Sequence, residues 1–381
     1  MIISIRELVI IFLLHLKVTN MIQKITIKNF FNYENLTIEN LPNITVLIGE
    51  NDTGKTGLLK ILYATAKGLE IFSRRNLSVD TSFKKVLAEK LFNVFQPRKN
   101  GIGDMVTKGS KDKLSVDITF KRSDKTNYKQ DIHFTFGETT TQTINDCTDR
   151  PDIAPDDFNV LFIPSKEVLT AFKAIKFTRE PHYLFGFDDT YLDLIKALEI
   201  PTQKGKISEG LVKINRDLEE LFEGVINPTE REESFLFKKG NTEYSISMTA
   251  EGIKKIGILT TLIRNRQLGK NTILFFDEPE TALHPKAVRL LTEMIVEMSK
   301  AGVQIVLSTH SYFVIKQLTN CAKRANKNGE KFDVLCCSLE RERGKSVEVL
   351  FSNLKDGLPN NPIVDEALNM FDEEVKIDLG L

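Results

Sequence analysis

An α/β fold built on a largely parallel sheet is predicted by three features of this sequence. The apolar run Ile44–Ile48 leads straight into a glycine-rich turn at Gly49 and then into a helical pattern. Two further runs, Ile273–Phe276 and Gln304–Leu307, are apolar at nearly every position, as strands buried on both faces are. Between them lie stretches of alternating polarity and a long helical tract, so an antiparallel subdomain and an inserted helical lobe accompany the sheet.

The elements follow in order. Met21 opens a clean strand pattern, Ile22–Ile27, followed by Leu36–Ile38 and Ile44–Ile48. Residues 1–20 therefore read as an upstream extension or leader. Their apolar run, Leu8–Leu16, is far short of the roughly 20 residues a membrane span needs. A helix is expected from Lys55 to about Gly68 and a second over Ser82–Phe95. Arg98–Lys113, rich in Gly, Lys and Asp, reads as an exposed loop. Alternation at Leu114–Phe120 and Asp131–Phe136 predicts antiparallel strands, and Val160–Ile163 a short strand ending at Pro164.

From Lys166 to Gly224 the texture is helical, with breaks at Pro181, Gly186 and Pro201. Leu211, Ile214, Leu218, Leu221 and Phe222 share one helix face. Strands return at Ser234–Phe237 and Tyr244–Ser247, and a helix begins near Ala250. The tail adds strands at Val334–Ser338 and Ser346–Phe351 and a helix from about Ile363. The division expected is an N-terminal lobe over 21–165, a helical lobe over 166–232 and a C-terminal lobe over 233–381.

Composition narrows the function. The 52 basic side chains balance 52 acidic ones, so no net field draws the chain to nucleic acid or anionic membrane. Cys147, Cys321, Cys336 and Cys337 form no C-x-x-C pair and lie apart from the histidines, which argues for reduced thiols in the cytoplasm rather than a zinc site.

Three motifs carry chemistry. Gly49-Glu50-Asn51-Asp52-Thr53-Gly54-Lys55-Thr56 fits the P-loop pattern between a strand and a helix. Its glycines let backbone N–H groups turn inward around phosphate oxygens, and the helix adds its N-terminal dipole. Lys55 is placed to reach the β- and γ-phosphates and the Thr56 hydroxyl to ligate Mg²⁺, so ATP and Mg²⁺ are the expected cofactors. Ile273–Glu280 buries a strand and releases Asp277 and Glu278 at its end. Asp277 is the candidate Mg²⁺ partner, and Glu278 is the candidate general base for the attacking water. Leu307–His310 closes another apolar strand, which would bring His310 to the same edge, toward the γ-phosphate or the water.

The order P-loop, long insertion, Asp277-Glu278-Pro279-Glu280 with Leu283-His284-Pro285, and Ser308-Thr309-His310 resembles ABC-type ATPase heads. Within these it is similar to the small AAA-type ATPases of the OLD, RecF and SMC-like group. The likeness runs over nearly the whole chain from Met21. It implies that Ala282, Leu283 and His284 form a D-loop crossing a dimer interface. It also implies a signature at Met248–Gly252, where Gly252 and the helix N-terminus would face a partner's nucleotide. Ala250 stands where the family has serine, leaving Thr249 or Ser247 to supply a hydroxyl. No clear Q-loop glutamine is present; by position Ser165 or Lys166 takes its place. Phe30, Phe31 and Tyr33 are candidates to pack beside the adenine or simply to fill the core.

The resemblance implies an ATPase that opens and closes as a homodimer or higher oligomer. Its motion would pass to a separate effector, a nuclease or toxin, in bacterial or antiviral defence. A DNA-binding repair ATPase of the RecF/SMC type is the alternative, and an ABC transporter subunit ranks below it. The basic stretches Lys108–Lys113 and Lys323–Lys331 are interleaved with Asp, Glu or Asn and read as solvated loops. The acids after His310, among them Glu340, Glu342, Asp372, Glu373 and Glu374, do not form a nuclease pattern, so cleavage is expected to reside in a partner chain.

Overall fold

A computed structural model describes residues 21–74, 82–98, 101–121, 128–144, 146–152, 154, 158–180, 184–202, 207–229 and 234–379. The expected extension over 1–20 and the expected break at Pro181 lie outside them.

The chain begins with β1 (Ile22–Phe30) and β2 (Tyr33–Glu39), paired antiparallel with Ile25 opposite Ile38 and Ile27 opposite Leu36. β3 (Ile44–Gly49) is buried along its whole length. It releases the chain into α1 (Lys55–Arg74), one and a half turns longer than its sequence pattern suggested, because Leu69 and Glu70 are also buried. α2 (Phe83–Phe95) lies against α1, with Leu87 touching Gly68. The segment expected to be an exposed loop instead holds a buried 3₁₀ turn, Gly101–Met105. Its backbone is tied to Thr140 and Thr141, and Ile102 and Met105 enter the core. β4 (Leu114–Lys121), β5 (Lys129–Phe136) and the short β6 (Asp146–Cys147) follow. They complete a five-stranded antiparallel sheet in the order β2-β1-β4-β5-β6.

β7 (Asn159–Ile163) leads into α3 (Phe172–Arg179), α4 (Asp189–Glu199) and α5 (Glu209–Leu221). Next comes a meander of β8 (Val225–Thr229), β9 (Ser234–Lys239) and β10 (Thr242–Ser245). β8 carries a proline in a five-residue segment, which masks its strand pattern in the sequence. The remaining elements are α6 (Glu251–Arg264), β11 (Thr272–Asp277), α7 (Pro285–Lys300), β12 (Gln304–Ser308), α8 (Tyr312–Lys327), β13 (Val334–Glu340), β14 (Glu348–Asn353) and α9 (Pro362–Leu379).

Six strands form the central sheet in the order β14-β13-β3-β12-β11-β7. All pair in parallel except β14, which runs antiparallel along β13. Period-two alternation sends successive residues to opposite faces. Leu47, Phe275 and Val306 join a core with the antiparallel sheet and α1. Val46, Phe276 and Leu307 join a second core with the helices from α3 to α8.

The helices of 166–232 lie on the sheet and are cross-tied to the P-loop helix. Lys90 of α2 bonds Asp189 and Asp193 of α4 at 2.7 Å each, and the fully buried Arg179 of α3 bonds Asp189 at 2.7 Å. Lys60 of α1 reaches Asp188 at 2.6 Å, and Tyr63 donates to Asp193. Among the described residues no helix is long and apolar enough to cross a membrane.

Candidate functional site

Parallel pairing puts the C-terminal ends of β3, β7, β11, β12 and β13 on one edge of the sheet, where ligands of open α/β sheets bind. In register, Asp277 lies beside Ser308, and Ser308 beside Leu47 just before the P-loop. Motifs more than 200 residues apart in sequence thereby meet.

The P-loop is held from both sides. The Tyr33 hydroxyl donates to the Thr53 carbonyl at 2.8 Å, and Thr53 Oγ1 donates to the Glu50 carbonyl at 2.9 Å. Gly54 has φ +84°, and a Cβ there would sit 3.0 Å from the Tyr33 ring, so only glycine fits the turn. Lys55 folds over the loop, its Nζ donating to the carbonyls of Gly49 (2.9 Å) and Glu50 (2.7 Å). Burial lowers its pKa to about 8, although Glu278 and Asp277 pull it upward. A polyanion would supply the countercharge that this ammonium lacks.

Thr56 Oγ1 donates to Asp277, 3.0 and 3.1 Å from its two oxygens, and Ser308 Oγ donates to Asp277 at 2.6 Å. Burial holds the Asp277 carboxyl above the usual range even with both hydroxyls bonded to it. This is an all-oxygen donor set with a carboxylate whose charge lacks a full partner, and it suits a hard cation such as Mg²⁺. Glu278 follows on a backbone at φ +45°, a conformation costing an ordinary residue about 1–3 kcal/mol. Its N–H donates to the Ser308 carbonyl at 3.1 Å. The turn leaves its carboxylate partly exposed, with Oε1 3.7 Å from His310 Nε2. Burial and the Lys55 charge lower the His310 pKa against the pull of Glu278 and Asp277, which favours the neutral ring. A neutral imidazole and an ionisable carboxylate can share one water between them.

Two residues not singled out in the sequence fix this geometry. Glu280 Oε1 accepts from Thr309 Oγ1 (2.8 Å) and the His310 backbone N–H (2.9 Å), setting the turn that presents His310. Lys255, buried on α6, donates to the carbonyl of Glu278 at 2.5 Å and that of Ser165 at 3.2 Å. Burial lowers its pKa to about 8, with Glu280, Glu278 and Asp277 opposing. Two adjacent lysines, Lys254 and Lys255, interrupt the apolar helix stretch Ile253–Leu259, and nothing local separates the one that reaches the Glu278 turn from its neighbour.

The weaker candidates separate. Phe30 and Tyr33 are fully buried, whereas Phe31 is 36% exposed and lies against Gly57 on the first turn of α1. Ser165 contributes its carbonyl to Lys255, and Lys166 is exposed. Ala250 is the N-cap of α6 and gives no side-chain cap. Thr249 is buried with its hydroxyl committed to the Ser245 carbonyl at 3.2 Å, while Ser247 stays exposed. Gly252, expected to face a partner's nucleotide, is instead buried against Ala282 and Leu283 of its own chain, where a Cβ would come within 2.8 Å of the Ala282 carbonyl. Asp52, on the outer side of the loop, pairs with Arg341 at 2.7 Å.

Fold and site together define an ATPase of the ABC-type AAA class, in the group of OLD, RecF and SMC heads. The chain belongs to the family described as "AAA domain, putative AbiEii toxin, Type IV TA system", whose profile matches residues 44–316. It is 49% identical over 41 residues to the Old nuclease of Escherichia phage P2, a match covering 11% of this chain and 7% of that protein's length. With an ATP/GTP phosphatase of Helicobacter pylori it shares 22% identity over 332 residues, covering 78% of this chain and 87% of the relative. Among solved structures, an Smc head bound to the C-terminal winged-helix domain of ScpA superposes with TM-score 0.53 at 15% identity. That match covers 88% of this chain and 98% of the other.

Proposed function

We propose that this ATPase couples cycles of ATP binding and hydrolysis to the opening and closing of a homodimer, and passes that motion to a separate effector in a defence or toxin-like system. The observation that carries the catalytic part is the meeting of Lys55, Thr56, Asp277, Glu278 and His310 on one sheet edge. The family description, with its toxin wording, and the likeness to the Old nuclease support the cellular setting.

In this reading Gly49–Thr56 wrap the phosphates, and Lys55 leaves the Gly49 and Glu50 carbonyls to meet them. Thr56 and Asp277 would hold Mg²⁺, which when bound would offset charge on the phosphate oxygens. Glu278 takes a proton from the attacking water, and the neutral His310 orients that water from the other side. The exposed start of α6, Ala250 and Glu251, faces the partner's nucleotide, with backbone N–H groups replacing the absent serine, while Gly252 packs behind it against Ala282. Lys255 then ties that helix to the Glu278 turn within one chain.

The test is light scattering and turnover of Glu278→Gln. The variant should retain ATP binding, lose about 10²–10⁴ in hydrolysis rate, and shift to dimer when ATP and Mg²⁺ are added. A species that stays monomeric with and without ATP would reject the dimer cycle. Wild-type turnover by the variant would remove Glu278 from the base role.

A further inference from the structure

Among the described residues α9 is the least embedded helix. Of its 18 residues only Val364 is buried. Leu368, Met370, Phe371, Ile377 and Leu379 are between 52% and 70% exposed. The acids of this helix face solvent as its sequence suggested, but its apolar side chains do so as well. Beyond Val364, which is buried, Leu368, Phe371 and Val375 follow one another at spacings of three and four residues, a short a/d seam, with Met370, Ile377 and Leu379 beside it. On that register Asp365, Asp372 and Glu374 occupy the flanking e and g positions, which select partners by charge. The helix as a whole holds Asp365, Glu366, Asp372, Glu373, Glu374 and Asp378 against Lys376 alone.

We propose that α9 is a docking helix for a basic amphipathic helix of a second protein, with apolar residues filling the seam and Lys or Arg beside it. A second copy of this chain fits poorly, because it would set side by side two helices that each carry six acids and one lysine. An anionic membrane surface is disfavoured by the same charge. The proposal rests on the reading that the ATPase acts on a separate partner, and it names the chemistry of the docking segment.

The root of the helix lies near the nucleotide loop. Asn361 is buried and caps α9, its Oδ1 accepting from the Ile363 N–H at 3.0 Å. Pro362 lines one cleft with Glu50 of the P-loop and with Arg341, and Arg341 in turn grips Asp52.

The experiment uses the full chain and a fluorescent three-heptad peptide with Leu or Ile at a and d and Lys at e and g. A second peptide carries Glu in place of Lys. The basic peptide should bind, should weaken about tenfold between about 0.1 M and 0.5 M salt, and should be lost with Leu368→Asp/Phe371→Asp while ATP hydrolysis continues. The acidic peptide should not bind. Absence of basic-peptide binding, or equal binding of both peptides, overturns the proposal. So does self-association of the wild type that Phe371→Asp abolishes, which would assign the seam to a second copy. Binding that emerges only on removal of residues 1–20 would assign the seam to that segment of the chain and overturn the proposal as well. Hydrolysis and ATP-dependent dimerisation are read in the same samples. A failed peptide with an intact ATP cycle sinks the docking helix alone, and a bound peptide without an ATP cycle sinks the nucleotide-site reading alone.

Discussion

Lys55 spends its charge on two backbone carbonyls of its own loop, and its burial makes that charge costly. Lys55→Ala removes a charge-assisted contact worth about 1.5–3 kcal/mol to the phosphates. ATP affinity by calorimetry should fall roughly tenfold to a hundredfold; unchanged affinity would contradict the P-loop assignment. The same burial sets a pH limit. Lys55 and Lys255 are both held near a pKa of about 8, so both are charged below that value and lose their protons above it. The profile of kcat/KM, which reports the free enzyme, should therefore decline as pH rises through about 8. A profile flat to pH 10 would show that neither ammonium is needed.

At the scale of elements, the joint between the P-loop helix and the following helices is polar where a hydrophobic contact would have sufficed. Burial alone would lower Lys90, but Asp193 and Asp189 outweigh it and the pKa is raised. Asp193 is lowered for the complementary reason, against its own burial, by Lys90 and Lys67. Lys90→Met leaves two carboxylates short of their partner, and breaking such a buried pair costs about 3–5 kcal/mol. Urea denaturation at pH 7 should show that loss. The signs define the window. The Asp193 contribution is present above its unfolded pKa and disappears as pH falls through the depressed folded value. The Lys90 contribution disappears only as pH rises through its elevated one. The gap between variant and wild type should thus narrow in acid; a gap that widens there would refute the ion-pair account.

For the whole molecule, the expectation of catalysis confined to nucleotide hydrolysis follows from where acids lie. Glu340 ends β13 beside Arg341, and Glu373 stands on the exposed face of α9. The purified chain should leave plasmid DNA intact with ATP and Mg²⁺ or Mn²⁺. Cleavage that survives further purification and is lost in Glu340→Ala or Glu373→Ala would overturn this and move the effector into the same polypeptide.

The α/β class and the nucleotide motifs were written in local sequence, because a P-loop and a buried strand each need particular residue types at adjacent positions. Gly49–Thr56, Asp277, Glu278 and His310 could be picked out for that reason. The interactions that orient them are non-local and leave no local pattern. Lys255 reads as one lysine in a helix until α6 is packed across the end of β11. Glu280 is one more acid until β12 brings Thr309 and His310 beside it. The five-residue β8 and the buried turn at Gly101–Met105 were hidden because their backbone partners, β9 and Thr140–Thr141, lie elsewhere in the chain. The apolar face of α9 shows the same limit from the other side. Its periodicity is visible in the sequence and implies burial, and only the packed structure shows that the chain's described residues leave that face uncovered.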